Sequence, residues 1–329
     1  MDTPEETYTV RKLLLAAALL AALPLQSRAA DPYPSRPVTI TVPFGAGASI
    51  GSIARIVAEK LAARLGQPFV VEYKPGAGGT IGSAHVAAQK PDGYSLLVSA
   101  TGTMSIAPVL YKNLSYKSED LTPVAQMMRV PFVIASGSEF KGKTLNELVA
   151  QIKAEPGKYN FASTGNGTLV HLGGQLLLNQ FGGKAEHVPY AAGSEVAVAL
   201  IAGDVLFSVA NISTVAPHFA SGRIKALAVT GPERFPLLPG VPTVAESGLK
   251  DFSVRHYVGI FGPPRLPADI ADKLNKEIGE ILREPDVEAA FKTQGDLPVP
   301  VSRDAFARTV ADDAKAWSSL ARQMNLAAN

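Results

Sequence analysis

The sequence predicts an α/β protein built as two lobes. Apolar runs of strand length alternate with stretches of helical spacing, the alternation comes in two separate batches, and five runs end in clusters of Gly, Ser, Thr or Asn. Alternation of this kind implies parallel strands joined by crossover helices. The clusters occupy 43–49, 99–103, 163–168, 190–194 and 211–214, and a helical pattern usually starts at once after them. Such junctions leave backbone N–H groups unpaired and favour negative charge, each contribution being worth roughly 0.3–1 kcal/mol. Ligands of open parallel sheets bind beyond the carboxyl ends of the strands, so two lobes that face each other with such loops form a cleft for a small anion.

Taken in order, 38–44 reads as a buried strand and 52–65 as a helix that Gly66-Gln67-Pro68 ends. Strand 69–73, helix 81–89, the turn Pro91-Asp92-Gly93 and strand 94–99 complete the first batch. A polar stretch at 111–122 precedes two short apolar runs within 124–135 that flank Arg129-Val130-Pro131. The second batch follows as helix 145–154, strand 159–162, helix 169–181, strand 186–188, helix 196–202 and strand 206–210. The remainder reads as strand 226–230, a Pro-rich crossing at 236–242, strand 258–261 and helices at 268–282, 287–294 and 303–324.

Composition narrows the function. Arg11 and Lys12 precede an apolar stretch from Leu13 to Leu25, and Ser27-Arg28-Ala29-Ala30 follows. That order is the pattern of a secretory signal peptide, too short to span a bilayer, with cleavage expected after Ala29 or Ala30. The acidic start, with Asp2, Glu5 and Glu6, is unusual for such a signal, and no Cys follows the apolar run to carry a lipid. The chain has no Cys at all and 47% hydrophobic residues, which indicates large cores that hold without disulfides. A formal charge of +2 without long basic runs makes nucleic acid and acidic membranes poor partners.

Several motifs invite chemistry. Gly47-Ala48-Ser49-Ile50-Gly51 matches the G-x-S-x-G nucleophile elbow, and Asp251 and His256 follow in α/β-hydrolase order. The elbow normally comes after several strands, one of which supplies the oxyanion loop; here it follows the first, so Ser49 reads as a helix cap. Gly76-Ala77-Gly78-Gly79 lacks dinucleotide spacing and the ribose-binding acid, and no Gly-Lys-Ser/Thr makes a phosphate loop. The histidines 85, 171, 187, 218 and 256 form no i, i+4 pair, so neither a metal nor a cofactor is expected. His171, one turn into its helix, either faces a site or packs in the core; Asp312-Asp313 reads as a solvated helix face and Trp317 as core.

Taken jointly and in order, longer motifs are more specific. They are Pro43-Phe44 with Gly47 and Ala54-Arg55, Pro75-Gly76-Ala77-Gly78-Gly79, Pro91-Asp92-Gly93-Tyr94, 162–168, His187-Val188-Pro189-Tyr190, 226–230 and 241–248. Over essentially the whole chain after the signal, they resemble the Bug family, the extracytoplasmic solute-binding receptors of tripartite tricarboxylate transporters. The resemblance implies a type II periplasmic-binding-protein fold, with two α/β lobes and a ligand cleft between them. The expected division is a signal at 1–30, lobe 1 from 31–130 plus 230–329, and lobe 2 from 131–229, with crossings near 129–134 and 226–230. It also implies a periplasmic monomer, not an enzyme, that hands a small carboxylate to membrane permease subunits. The matching ligand positions are Phe44, Gly45, Ala46, Gly47, Ser49, Thr101, Gly102, Thr103, Ser163, Thr164, Gly165, Asn166, Gly167, Thr168, His171, Tyr190, Asn211 and Tyr257.

Departures from the family pattern refine the ligand. Gly47-Ala48 with Gly51 stands where Gly-Gly and a later Asp are usual, Ala191-Ala192 follows Tyr190 in place of Lys-Gly, Ala210 replaces a frequent acid, and Tyr257 a frequent Trp. A buried polar ligand group without partners costs roughly 1–3 kcal/mol, so this loss disfavours citrate and points to a carboxylate with an apolar or aromatic body. The competing readings are a secreted serine hydrolase using Ser49 and a ligand-sensing receptor for a signalling partner.

Overall fold

Strand Val38–Val42 (β1) alternates apolar residues with threonine, and the computed structural model buries its Val38, Ile40 and Val42 completely and Thr41 on the other face as well. The structure describes residues 33–45, 49–111, 113–250 and 252–323. The signal segment, Ala46, Gly47, Asp251 and Met324 lie outside them, and residues from Arg36 onward form one compact unit. Among the described residues no helix is long and apolar enough to cross a membrane.

The first sheet has five strands. β1 lies between Phe69–Tyr73 (β2) and Ser95–Ala100 (β3), parallel to both, because helices Ser49–Leu65 (α1) and Thr80–Ala87 (α2) carry the chain back between them. β3 turns directly into a π-type turn at Gly102–Ile106 and a short helix, Ala107–Leu110 (α3). The strand Thr122–Pro131 (β4) is the edge of the sheet, and Arg255–Gly262 (β10) lies between β3 and β4, antiparallel to both. Alternation alone implied parallel pairing throughout. β10 differs because it arrives from the other sheet and so runs in the opposite sense.

The second sheet has the order β7-β6-β8-β5-β9, made of Val133–Ser136 (β5), Asn160–Ser163 (β6), Glu186–Pro189 (β7), Phe207–Ala210 (β8) and Lys225–Val229 (β9). β6 is parallel to β7 and β8, whereas β5 is antiparallel to β8 and β9. Helices Leu145–Ala154 (α4), Leu169–Phe181 (α5) and Gly193–Ala202 (α6) make the crossovers, and a short helix, Ile212–Val215 (α7), follows β8. Thr144 and Glu147 form a reciprocal capping box on α4, and Gly182, at φ 70°, closes α5.

Sheet membership changes between Pro131 and Val133, and the return runs from Val229 to Arg255. Thr230 laces these segments together. Its N–H donates to Phe132 O at 2.9 Å, its Oγ1 accepts from Phe132 N at 2.7 Å and donates to Val254 O at 2.5 Å, and its O accepts from Val254 N at 2.9 Å. Thr230→Val keeps the shape and removes both hydroxyl bonds in a fully buried place. The expected loss is about 1–3 kcal/mol, read as a lower urea midpoint; an unchanged midpoint would mean the backbone ladder alone holds the crossing.

The last helices, Ala268–Ile281 (α8), Pro285–Thr293 (α9) and Arg303–Gln323 (α10), follow β10. α10 serves both cores from one face. Phe306 enters the first, with Tyr257 and Phe261, and about three turns later Trp317 enters the second, with Leu320. Asp313, between them, is not on a solvated face as its sequence context suggested. It is buried and accepts from Arg129 Nη2 of β4 at 2.9 Å, because the first sheet packs an arginine against that side of the helix.

Candidate functional site

The loop after β6 is the best defined of the anion-type loops. Gly165 and Gly167 sit at φ 121° and 74°, conformations that side chains rarely adopt, and a Cβ on Gly167 would lie 2.4 Å from Leu110 Cδ1. Ser163 Oγ accepts from Gly165 N at 3.1 Å, and Thr168 caps α5 by accepting from His171 N at 3.3 Å while donating to Gly165 O at 2.9 Å. Thr164 is half-buried and Asn166 exposed.

His171 works beneath this loop. Its Nδ1 accepts from Gly167 N at 3.1 Å, which puts any ring proton of the neutral form on Nε2. The ring stacks on His187 with centroids 3.8 Å apart, and Ser163 Oγ lies 2.6 Å from His187 Nε2. Burial lowers His171 to about 4, helped by its neighbour His187, and burial lowers His187 as well. Both rings are therefore neutral at neutral pH. In the unfolded chain His171 takes its proton near 6.5, so acid favours unfolding and stability falls as pH drops from about 6.5 to about 4. His171→Phe keeps the stack but loses the bond and the titration; it should cost about 1–3 kcal/mol at pH 7 and flatten that acid limb in urea melts.

The first-lobe positions divide. Phe44 is half-buried and Gly45 exposed at the end of β1, Ala46 and Gly47 are outside the described residues, and Ser49 begins α1. Thr101 is buried, its Oγ1 accepting from Tyr257 N at 2.9 Å, and Gly102 opens the π-type turn. Thr103 Oγ1 donates to Gly78 O at 2.9 Å, and a Cβ on Gly79 would meet Thr103 Oγ1 at 2.7 Å. The Gly76–Gly79 segment thus serves close backbone packing. Tyr257 is fully buried, edge-on to Phe306 at 5.5 Å, and burial raises its pKa. Its ring belongs to the first core, and the cavities described below do not include it.

A cavity of about 620 Å³ opens where the two sheets meet. The second-sheet side contributes Ala192, Gly193 and Asn211–Thr214; the first-sheet side contributes Met128, Val130, Pro131, His256, Gly295 and Asp296. Gly295, at φ 76°, lets the chain pass so close that a Cβ there would meet Ser213 Cβ at 3.1 Å. A space of about 10 Å³, near the size of one water, lies next to it among Thr164, Ser208, Asn211 and Thr214. Of the expected ligand positions, Asn211 and Thr164 border these spaces. Tyr190 is half-buried with its N–H on Ser163 O at 2.9 Å, and burial raises its hydroxyl pKa.

Two groups at the cavity escaped the sequence reading or stood elsewhere in it. His256, considered for a triad, packs at 5.2 Å on Phe132 with Nδ1 unpartnered, and burial lowers it to about 4. Asp296 is 7% exposed and pushed up to about 6 by burial. No local pattern marks it, because its position depends on the pairing of Val299 N with Met127 O at 3.1 Å on the edge strand β4. Among the described residues no cluster of three metal-ligating side chains occurs.

A family model described as "Tripartite tricarboxylate transporter family receptor" matches residues 53–326. The chain is 35% identical over 296 residues to Protein BugT of Bordetella pertussis, covering 89% of this chain and 91% of that protein. Among solved structures, MatC from Rhodopseudomonas palustris with bound malate aligns at TM-score 0.72 and 31% identity, covering 88% of this chain and 99% of that one. An R. palustris protein with adipate aligns at TM-score 0.76 and 26% identity, covering 90% and 100%.

Proposed function

The chain belongs to the tripartite tricarboxylate transporter receptor family and has its two-lobed type II periplasmic-binding-protein fold, and on that premise we propose that it captures a small carboxylate with an apolar or aromatic body. The family and its structural relatives are binding proteins of transporters, not enzymes, so the Gly47–Gly51 match carries no hydrolase reading. The observation that carries the proposal is the cavity between the two sheets, bordered by Asn211 and by the start of α6. Ala192 gives α6 no side-chain cap, and Glu195 Oε2 accepts from Ala191 N at 3.0 Å, so the N–H groups of Gly193 and Ser194 are the ones left for a carboxylate.

In this reading the loops at 44–49, 101–103, 163–168, 190 and 211 frame the ligand, and His171 with His187 and Tyr257 with Thr101 hold two of them in shape. Lobe 1 comprises 31–130 and 230–329, and lobe 2 comprises 131–229. The 1–30 segment directs export to the periplasm, where the monomeric receptor delivers its cargo to permease subunits. Closure is a population shift, driven by contacts that the ligand makes in the closed form alone.

Calorimetric titration of the purified protein tests this. Binding of benzoate-like or muconate-like acids, with citrate weaker, is the expected result; tight citrate binding with no response to the others would overturn the ligand class.

A further inference from the structure

We infer that Asp296 is a specificity-determining residue that receives an ammonium group on the ligand, so that among acids of one shape the amino-carboxylate binds more tightly than the plain or doubly charged acid. The inference rests on the carboxylate-receptor reading and adds the ligand's second pole.

A carboxylate that is 7% exposed is normally paired, since an isolated buried charge is costly. Burial alone acts on the Asp296 carboxyl, with no hydrogen bond or charge from any described residue set against it, and no Lys or Arg borders the cavity it faces. The polar neighbours at that cavity are Asn211, Ser213, Thr214 and His256, all neutral at neutral pH. The protein therefore supplies one buried negative charge and leaves its counter-charge to the occupant.

The opposite charge preference comes from the other lobe. Gly193 begins α6 at the same cavity and the helix lacks a side-chain cap at Ala192; the exposed Glu195 carboxylate takes Ala191 N at 3.0 Å, and Glu195 N and Val196 N turn back to Ala192 O, which leaves the N–H groups of Gly193 and Ser194 for an anion. Gly295 holds the Asp296 segment against Ser213, so negative and positive poles belong to one space. A molecule with carboxylate and ammonium satisfies both poles at once. A dicarboxylate would bring a second negative charge to Asp296.

Matched acids provide the test by calorimetry at pH 7.5: hexanoate, 6-aminohexanoate and adipate; 3-phenylpropionate and phenylalanine; 4-methylbenzoate and 4-(aminomethyl)benzoate. At least one amino acid should bind ten-fold or more tighter than its partner without the amine, the range expected for a charged hydrogen bond being about 10- to 100-fold. In Asp296→Asn that ratio should fall to about one, and Asp296→Ala should repeat the result. Amino acids that bind no tighter than their partners, adipate tighter than 6-aminohexanoate, or a ratio that survives in both variants would each overturn the assignment while leaving a carboxylate receptor. Failure of every acid to bind would remove the carboxylate reading itself, and the ammonium site with it.

Discussion

Arg129→Ala should cost about 3 kcal/mol or more of folding stability, because it strands a buried carboxylate. Arg129 and Asp313 have side chains only 19% and 12% exposed and are joined at 2.9 Å, while Arg129 Nη1 also donates to Thr309 Oγ1 at 2.8 Å. Removing one member of a buried pair typically costs 3–5 kcal/mol, far more than the pair contributes over an apolar replacement. Arg255 lies in the same cluster and offsets part of the loss, which places the expectation at the low end. Burial already pushes Asp313 up to about 6 against the pull of both arginines. Without Arg129 it should rise further and be protonated at neutral pH, so the deficit should shrink on acidification toward pH 5. Urea unfolding of Arg129→Ala, Asp313→Leu and the double Arg129→Met/Asp313→Leu gives the check. The double variant should recover most of the loss; a single-variant cost below about 1 kcal/mol would class the pair with ordinary surface ion pairs.

Asp296→Asn should have the opposite sign and stabilise the free protein by about 3 kcal/mol at pH 7. Its carboxyl has a folded pKa of about 6 against an ordinary 3.8. The folded state thus holds the proton more tightly than the unfolded chain, so stability falls as pH rises from about 4 to about 6 and stays low above that. Each unit is worth about 1.4 kcal/mol, and asparagine abolishes the whole difference. The gain of the variant over the parent should be near zero at pH 4 and reach its plateau above pH 6. For a chain of this size it should raise the melting temperature by roughly 5 °C. His171 titrates in an overlapping window with the reverse sign, but it is common to both proteins and cancels in their difference. A variant no more stable than the parent at pH 7 would mean that the carboxylate finds a partner in solution. A residue that weakens the empty fold in this way fits the usual exchange of stability for binding.

Most of the scaffold was legible because its signals are local. α4 and α5 begin and end where the periodicity says, since Thr144 with Glu147 and Thr168 with Gly182 stand at their caps. β10 was harder: the apolar run covers 258–261, but pairing extends from Arg255 to Gly262, because Arg255–Tyr257 are recruited by β4 and not by their own alternation. The π-type turn at Gly102–Ile106 has no sequence signature, and neither do the bonds that Thr101, just before it, and Thr103, within it, make to backbone atoms of Tyr257 and Gly78.

The sequence by itself determined the α/β alternation, its two batches, the Gly- and Ser-rich strand ends and, through ordered motifs, the receptor family. Only the tertiary structure decided which charges are buried. Asp313 reads like its exposed neighbour Asp312 until Arg129, 184 positions away, is packed against it, and Asp296 reads like any residue after a helix-ending glycine until β4 draws its segment to the cavity. Periodicity and capping act over a few residues and leave their mark in the chain. The cost of a charge depends on what distant segments place around it, and that is settled when the sheets, the crossing at Thr230 and the last helix come together.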